Sequence, residues 1–66
     1  MSLGKEIRKT RIDVGLNQKA LADAAGLSQK YMSQIERDAA DPRFSIVQRI
    51  ARALGVSLDH LTKEES

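Results

Sequence analysis

Cysteine is absent from the 66 residues, so neither a disulfide framework nor a thiolate metal site can be built. Stability has to come from packing or from a partner subunit. Aromatics are reduced to Tyr31 and Phe44, which leaves Leu, Ile, Val, Ala and Met to fill the interior. No alternating β-branched run occurs, and Ala, Leu, Lys, Arg, Gln and Glu dominate, a balance that speaks against a sheet and for helices. No apolar run approaches the roughly 18 residues of a membrane span, and the start lacks the apolar stretch of a signal peptide. A cytoplasmic location is the default expectation. His60 is the single histidine, and neither a glycine-rich phosphate loop nor a metal-ligand cluster is present. Enzymatic activity, a cofactor and a metal are therefore not expected.

A chain of 66 residues suits one domain, residues 1–66. At that size only about 60% of the unfolded chain's surface is buried, so the core is small. Formal net charge is +2; Lys63, Glu64 and Glu65 together carry −1, which leaves +3 on residues 1–62. So mild a balance points to a polyanionic partner only where the cations cluster.

What is present is organised around Gln18 to Arg37, QKALADAAGLSQKYMSQIER. Leu21, Ala22 and Ala25 lie on one face of a helix with about 3.6 residues per turn. Gly26 follows as a C-terminal cap, and Leu27 as an apolar plug. Ser28 then caps a second helix whose inward positions are Met32 and Ile35. Ala22 is small where two helices joined by a short turn must approach closely. Gln29, Lys30, Ser33, Gln34 and Arg37 are left on one outward stripe, polar and free of acids.

Upstream, helix 1 is expected from about Leu3 to Val14, with Leu3, Ile7 and Val14 inward and Gly15 ending it. Its other face sets Lys5, Arg8, Lys9 and Arg11 against Glu6 and Asp13, while Met1 and Ser2 receive no role. Arg11 stands one turn before Val14, points partly inward and needs a partner. Asn17 is the predicted cap of helix 2, placing Gln18 and Lys19 in a first turn whose free N–H groups favour an anion. Downstream, Pro42 fits the first turn of helix 4 with Asp41 as its cap. Phe44, Val47, Ile50, Ala51 and Leu54 form that helix's inward wall, Arg49 and Arg52 point outward, and Gly55 ends it. Ser57 caps a last short helix through Leu58 and Leu61, and residues 62–66 read as a frayed tail. Ile46 falls off the inward stripe. With Val56, Leu58 and Leu61 it is a candidate dimer seam; an ordinary stray apolar residue is the alternative.

Several blocks recur together: Leu3, Gly4, Ile7, Arg8 and Arg11; Gly15, Leu16 and Gln18; LAxxAGLS from Leu21 to Ser28; SQIER ending at Arg37; and IARALGVSLDHL ending at Leu61. In these blocks, and over nearly its whole length, the chain resembles the phage-repressor family of helix-turn-helix proteins, also called Cro-like or XRE. The resemblance implies an all-α, compact five-helix lambda-repressor-like DNA-binding domain with the helix-turn-helix at helices 2 and 3. It implies an ion pair of Arg11 with Glu36 that ties helix 1 to the recognition helix, where the alternative is two independent surface charges. It also implies that Gln29, Lys30, Ser33 and Gln34 read bases. Glutamine can bond adenine at N6 and N7, and lysine can donate to guanine O6 and N7.

Gln18 would touch a phosphate and brace the first residue of the recognition helix. Lys19, Tyr31, Arg37 and Arg43 are the further phosphate candidates; burial explains Tyr31 equally well, and a free surface position explains Arg43 equally well. The loop Asp38, Ala39, Ala40, Asp41 departs from the family, which has a glycine and then basic residues there. Backbone N–H groups would have to grip phosphate in their place. Asp38 suits a left-handed turn position. The function implied is a sequence-specific regulator of transcription that binds double-stranded DNA as a homodimer on a palindromic operator, with helix 3 in the major groove. The alternative, which the acidic loop leaves open, is an antitoxin-type interaction module whose main partner is another protein. Neither reading involves a membrane.

Overall fold

The computed structural model describes residues 2–62 and, within them, five helices and no strand. These are α1 (Leu3–Val14), α2 (Gln18–Ala25), α3 (Gln29–Glu36), α4 (Phe44–Leu54) and α5 (Leu58–Thr62). Short side chains start most of them. Asn17 Oδ1 accepts the Ala20 N–H at 2.7 Å, Ser28 Oγ the Tyr31 N–H at 3.1 Å and Ser57 Oγ the His60 N–H at 3.2 Å. Each bond satisfies one of the N–H groups that a helix start leaves without a partner. Ser2, given no role from sequence, does the same for α1 by accepting the Lys5 N–H at 3.1 Å.

The interior is built by Ile7 of α1, Leu21, Ala22 and Ala25 of α2, Met32 and Ile35 of α3, Val47, Ile50, Ala51 and Leu54 of α4, and Leu61 of α5. α2 packs against α3 and α4, and α1 lies across α3, α4 and α5. Ile7, Leu21, Met32, Ile35, Ile50 and Leu61 are almost completely removed from solvent. Each contributes about 1.5–3 kcal/mol of apolar burial. Leu61 therefore belongs to the interior of one chain, and the seam expected of Ile46, Val56, Leu58 and Leu61 loses that member. Ile46, Val56 and Leu58 are partly buried against the same core.

α4 departs from expectation at its start. Arg43 keeps an extended backbone (ψ 165°) and occupies the N-cap without a side-chain bond, so Asp41 and Pro42 precede the helix. Helical geometry begins only at Phe44, and Phe44, expected inward, is 63% exposed. The core-facing stripe of α4 begins one turn later, at Val47. Val14 is likewise exposed although it shares a helical face with Ile7. Glu6 shows the opposite error: counted among surface charges, it is buried, as is Thr10, and Glu6 Oε2 has no hydrogen-bond partner.

The sharpest close approach is between the start of α1 and the end of α3. A Cβ on Gly4 would lie 2.5 Å from the Ile35 carbonyl oxygen, 2.8 Å from that of Glu36 and 2.7 Å from Asp38 Oδ1. Only glycine fits. The Gly4 N–H donates to Asp38 Oδ1 at 3.1 Å, and Asp38 adopts the left-handed conformation (φ 59°) expected of it. One of the loop's two acids is thus engaged with the positive end of the α1 dipole. Thr62 closes α5, its hydroxyl donating to the Leu58 carbonyl at 3.2 Å; the rest of the expected frayed tail, residues 63–66, lies outside the described residues.

Candidate nucleic-acid interface

α2 and α3 form a corner around Gly26 and Leu27. Gly26 takes a left-handed conformation (φ 71°), and the Leu27 N–H reaches back to the Ala22 carbonyl at 2.8 Å. Ala22, wholly buried, lets the two helices close. α3 then divides cleanly. Met32, Ile35 and Glu36 face inward, while Gln29, Lys30 and Arg37 are exposed and Ser33 and Gln34 are half-buried at the margin of the outer face. Among the described residues, the side chains of Gln29, Lys30 and Gln34 enter no hydrogen bond, so their donors and acceptors face outward uncommitted.

The inward end of α3 is fixed by charge. Arg11 Nε donates to Glu36 Oε2 at 2.8 Å and Nη2 to Oε1 at 3.1 Å, a two-point fork. Arg11 Nη1 also holds the Leu16 carbonyl at 3.0 Å, which ties the α1–α2 connection into the same group. The Arg11 and Glu36 side chains are only 12% and 2% exposed. Gln18 Nε2 completes the network on Glu36 Oε1 at 3.3 Å. The brace that Gln18 was expected to give Gln29, the first residue of α3, is therefore made to its last residue instead. Facing amide and carboxylate at the α2 start draw the Gln18 side chain inward, toward the buried acid.

The other cations stand around the stripe without deep engagement. Lys19 pairs with Asp23 at 3.1 Å, but both side chains are about two-thirds exposed (69% and 66%), so the pair adds little stability and can exchange for another anion. Arg37 Nε donates to the Ser33 carbonyl at 3.3 Å at the end of α3, and Arg43 is exposed at the head of α4. Tyr31 is half-buried and packs against the core. Arg49 is exposed, as expected, and its guanidinium also lies on the corner, with Nε donating to the Ala25 carbonyl and Nη2 to the Gly26 carbonyl, both at 3.0 Å. Nothing in helical periodicity signals such a contact, because its partners lie 23 and 24 residues away. Among the described residues no cluster of His, Asp or Glu could hold a metal ion, and no helix is long and apolar enough to cross a membrane.

This arrangement is shared with known proteins. The helix-turn-helix family matches residues 7–61. The immunity repressor of Bacillus phage phi105 is 36% identical over 66 residues, covering all of this chain and 46% of the repressor, so the chain spans about half the length of that relative. The restriction-modification controller protein C.AhdI from Aeromonas hydrophila superposes with a TM-score of 0.88 at 29% identity, over 89% of either chain. The P22 c2 repressor, solved in complex with a synthetic operator, superposes with a TM-score of 0.84 at 31% identity over 92% of either chain. Five helices in the phage-repressor arrangement, with the α2–α3 corner at their centre, give the expected lambda-repressor-like fold. The chain belongs to the helix-turn-helix family of XRE type, the family of phage repressors and related DNA-binding transcriptional regulators.

Proposed function

We propose that this chain is the DNA-reading part of a sequence-specific transcriptional regulator, with α3 entering the major groove. One observation carries the reading: the outer face of α3 presents uncommitted Gln29, Lys30 and Gln34, with Ser33 between them, while its inner end is locked by the buried Arg11–Glu36 fork. Direct readout needs that combination, since a base-edge bond tolerates little error in the position of its donor. Gln29 and Gln34 suit adenine and Lys30 suits guanine. Lys19, Arg37 and Arg43 supply phosphate contacts. Gln18 and Tyr31 stand at the border of that set; the inward turn of Gln18 leaves its free N–H position in the first turn of α2 as its route to a phosphate.

A palindromic operator and a homodimer follow from the size of the reading element. α3 has 8 residues, about 12 Å of helix, which spans only a few base pairs. Two copies related by a two-fold axis double the sequence read and place the recognition helices about 34 Å apart, in successive major grooves. Ile46, Val56 and Leu58 remain the seam candidates.

Selecting binding sites from random duplex DNA at near-physiological salt tests the reading. The expected result is a palindrome with half-sites one helical turn apart. Recovery of no preferred sequence would sink it and turn attention to a protein as the main partner. Exchanging Gln29 or Gln34 for alanine is expected to change which sequence is selected. Replacing Lys19, Arg37 or Arg43 by methionine should leave the preference alone and make the salt dependence shallower by about one unit per residue.

A further inference from the structure

We infer that Arg49, on the helix behind the corner, is a positioning residue for DNA reading: it holds the α2–α3 turn at the angle that aims α3. The inference rests on the DNA-reading function above. The last carbonyls of a helix have no partner within it and carry its negative dipole end. In α2 those of Ala25 and Gly26 are both taken by one guanidinium, delivered from α4 with two bonds of 3.0 Å. The fit is tight, because a Cβ on Gly26 would lie 2.6 Å from Arg49 Nη2. Glycine is needed for the left-handed turn (φ 71°), and its lack of a side chain leaves the space over the corner that the guanidinium occupies.

The clamp complements the other end of α3. The Arg11–Glu36–Gln18 network pins the last residue of α3 to α1 and to the start of α2. Nothing in that network restrains the first turn of α3, where Gln29 and Lys30 sit. Ser28 caps that turn locally but belongs to the corner itself. Ala25 and Leu27 pack the corner on the core, and Arg49 adds the hydrogen bonds that tie the corner's carbonyls to α4, fixing the direction in which α3 departs. Planar geometry matters here, because a fork can hold two adjacent carbonyls at once and an ammonium cannot do so at the same pair of angles.

Two measurements on the whole chain test this, with Arg49→Met, which keeps the apolar stem, and Arg49→Lys, which keeps the charge. Lys5→Met, a charge loss on the exposed face of α1, is the control. Without DNA, amide hydrogen exchange at Leu27, whose N–H bonds the Ala22 carbonyl, is expected to quicken at least about tenfold in Arg49→Met relative to Val56, whose N–H makes the matching bond after α4. With DNA, affinity for the selected duplex should fall about tenfold while affinity for an unrelated duplex changes little and the salt slope is retained, since no phosphate contact is lost. Arg49→Lys should fall between Arg49→Met and the parent. Equal losses on both duplexes with a slope shallower by about one for each copy bound would overturn the proposal in favour of a direct phosphate contact. Unchanged exchange at Leu27, or full activity with lysine, would overturn it as well. Failure of the parent chain to prefer any duplex would count against the DNA-reading function alone, because the exchange measurement judges the clamp without DNA.

Discussion

Arg11→Met isolates the most consequential contact in the molecule. The substitution keeps an apolar stem of similar length and removes every donor of the fork, so the Glu36 carboxylate, 2% exposed, is left with the Gln18 amide at 3.3 Å as its remaining side-chain donor. The Leu16 carbonyl loses its partner too. Breaking a buried ion pair by removing one member costs about 3–5 kcal/mol, mostly because the surviving charge stays buried. A domain of 66 residues has only about 3–10 kcal/mol of stability in total. The loss therefore consumes much of the margin, and at about 4–8 °C per kcal/mol the melting temperature should fall by at least about 12 °C. Thermal unfolding followed by circular dichroism reads this directly. Lys5→Met, an exposed charge loss on the same helix, should stay within about 0.5 kcal/mol of the parent. Arg11→Met combined with Glu36→Leu should recover a large part of the loss, since an apolar pair can replace a buried ion pair at little cost. A fall in Arg11→Met no larger than that of Lys5→Met would refute the reasoning: the fork would then be a contact without energetic weight.

Gly4→Ala should destabilise the fold by about 2–3 kcal/mol in chemical denaturation, because two of the three atoms its Cβ would meet are backbone carbonyls of α3 that cannot swing away; a neutral result would mean the α1–α3 contact yields easily. Glu6→Met should raise the melting temperature, corresponding to about 1–3 kcal/mol, by replacing a buried carboxylate whose Oε2 has no partner with an apolar chain of similar size; a lower melting temperature would show that the acid is satisfied in solution. Asp38→Ala should cost about 2 kcal/mol, combining the lost bond to the Gly4 N–H with a left-handed backbone that alanine resists. Asp38→Asn keeps the acceptor and tolerates that backbone, so equal losses in the two would contradict this account.

Local chemistry was legible wherever the physics is local. Serine or asparagine before a helical run and glycine after it define helix ends through bonds three or four residues long: α2 begins and ends accordingly, α3 begins at Ser28, and α1 and α4 end at Gly15 and Gly55. Periodicity likewise identified Leu21, Ala22, Ala25, Met32 and Ile35 as inward, since the core covers that face along its whole length. The same logic failed at the ends of helices. Val14 and Phe44, in the last turn of α1 and the first of α4, share a helical face with buried residues yet are exposed, and a helical wheel carries no information about how far along the helix burial extends.

The stripe of Gln29, Lys30, Ser33 and Gln34 is a property of sequence spacing, and its polarity was readable at once. Its aim is not. Helix packing decided that Glu6 lies inside, that Gln18 turns to Glu36, that Asp38 caps a helix begun 35 residues earlier at Leu3, and that Arg49 grips the corner. Each of these depends on two segments distant in the chain arriving at hydrogen-bond distance, and no single segment encodes that meeting. By itself, the sequence determined which residues make helices, where most of those helices stop and which face of α3 is polar, because backbone bonding and helical periodicity act over a few residues. Only the tertiary structure decided how that face is held, because charge, carbonyl and amide form a lock when the fold brings them within about 3 Å.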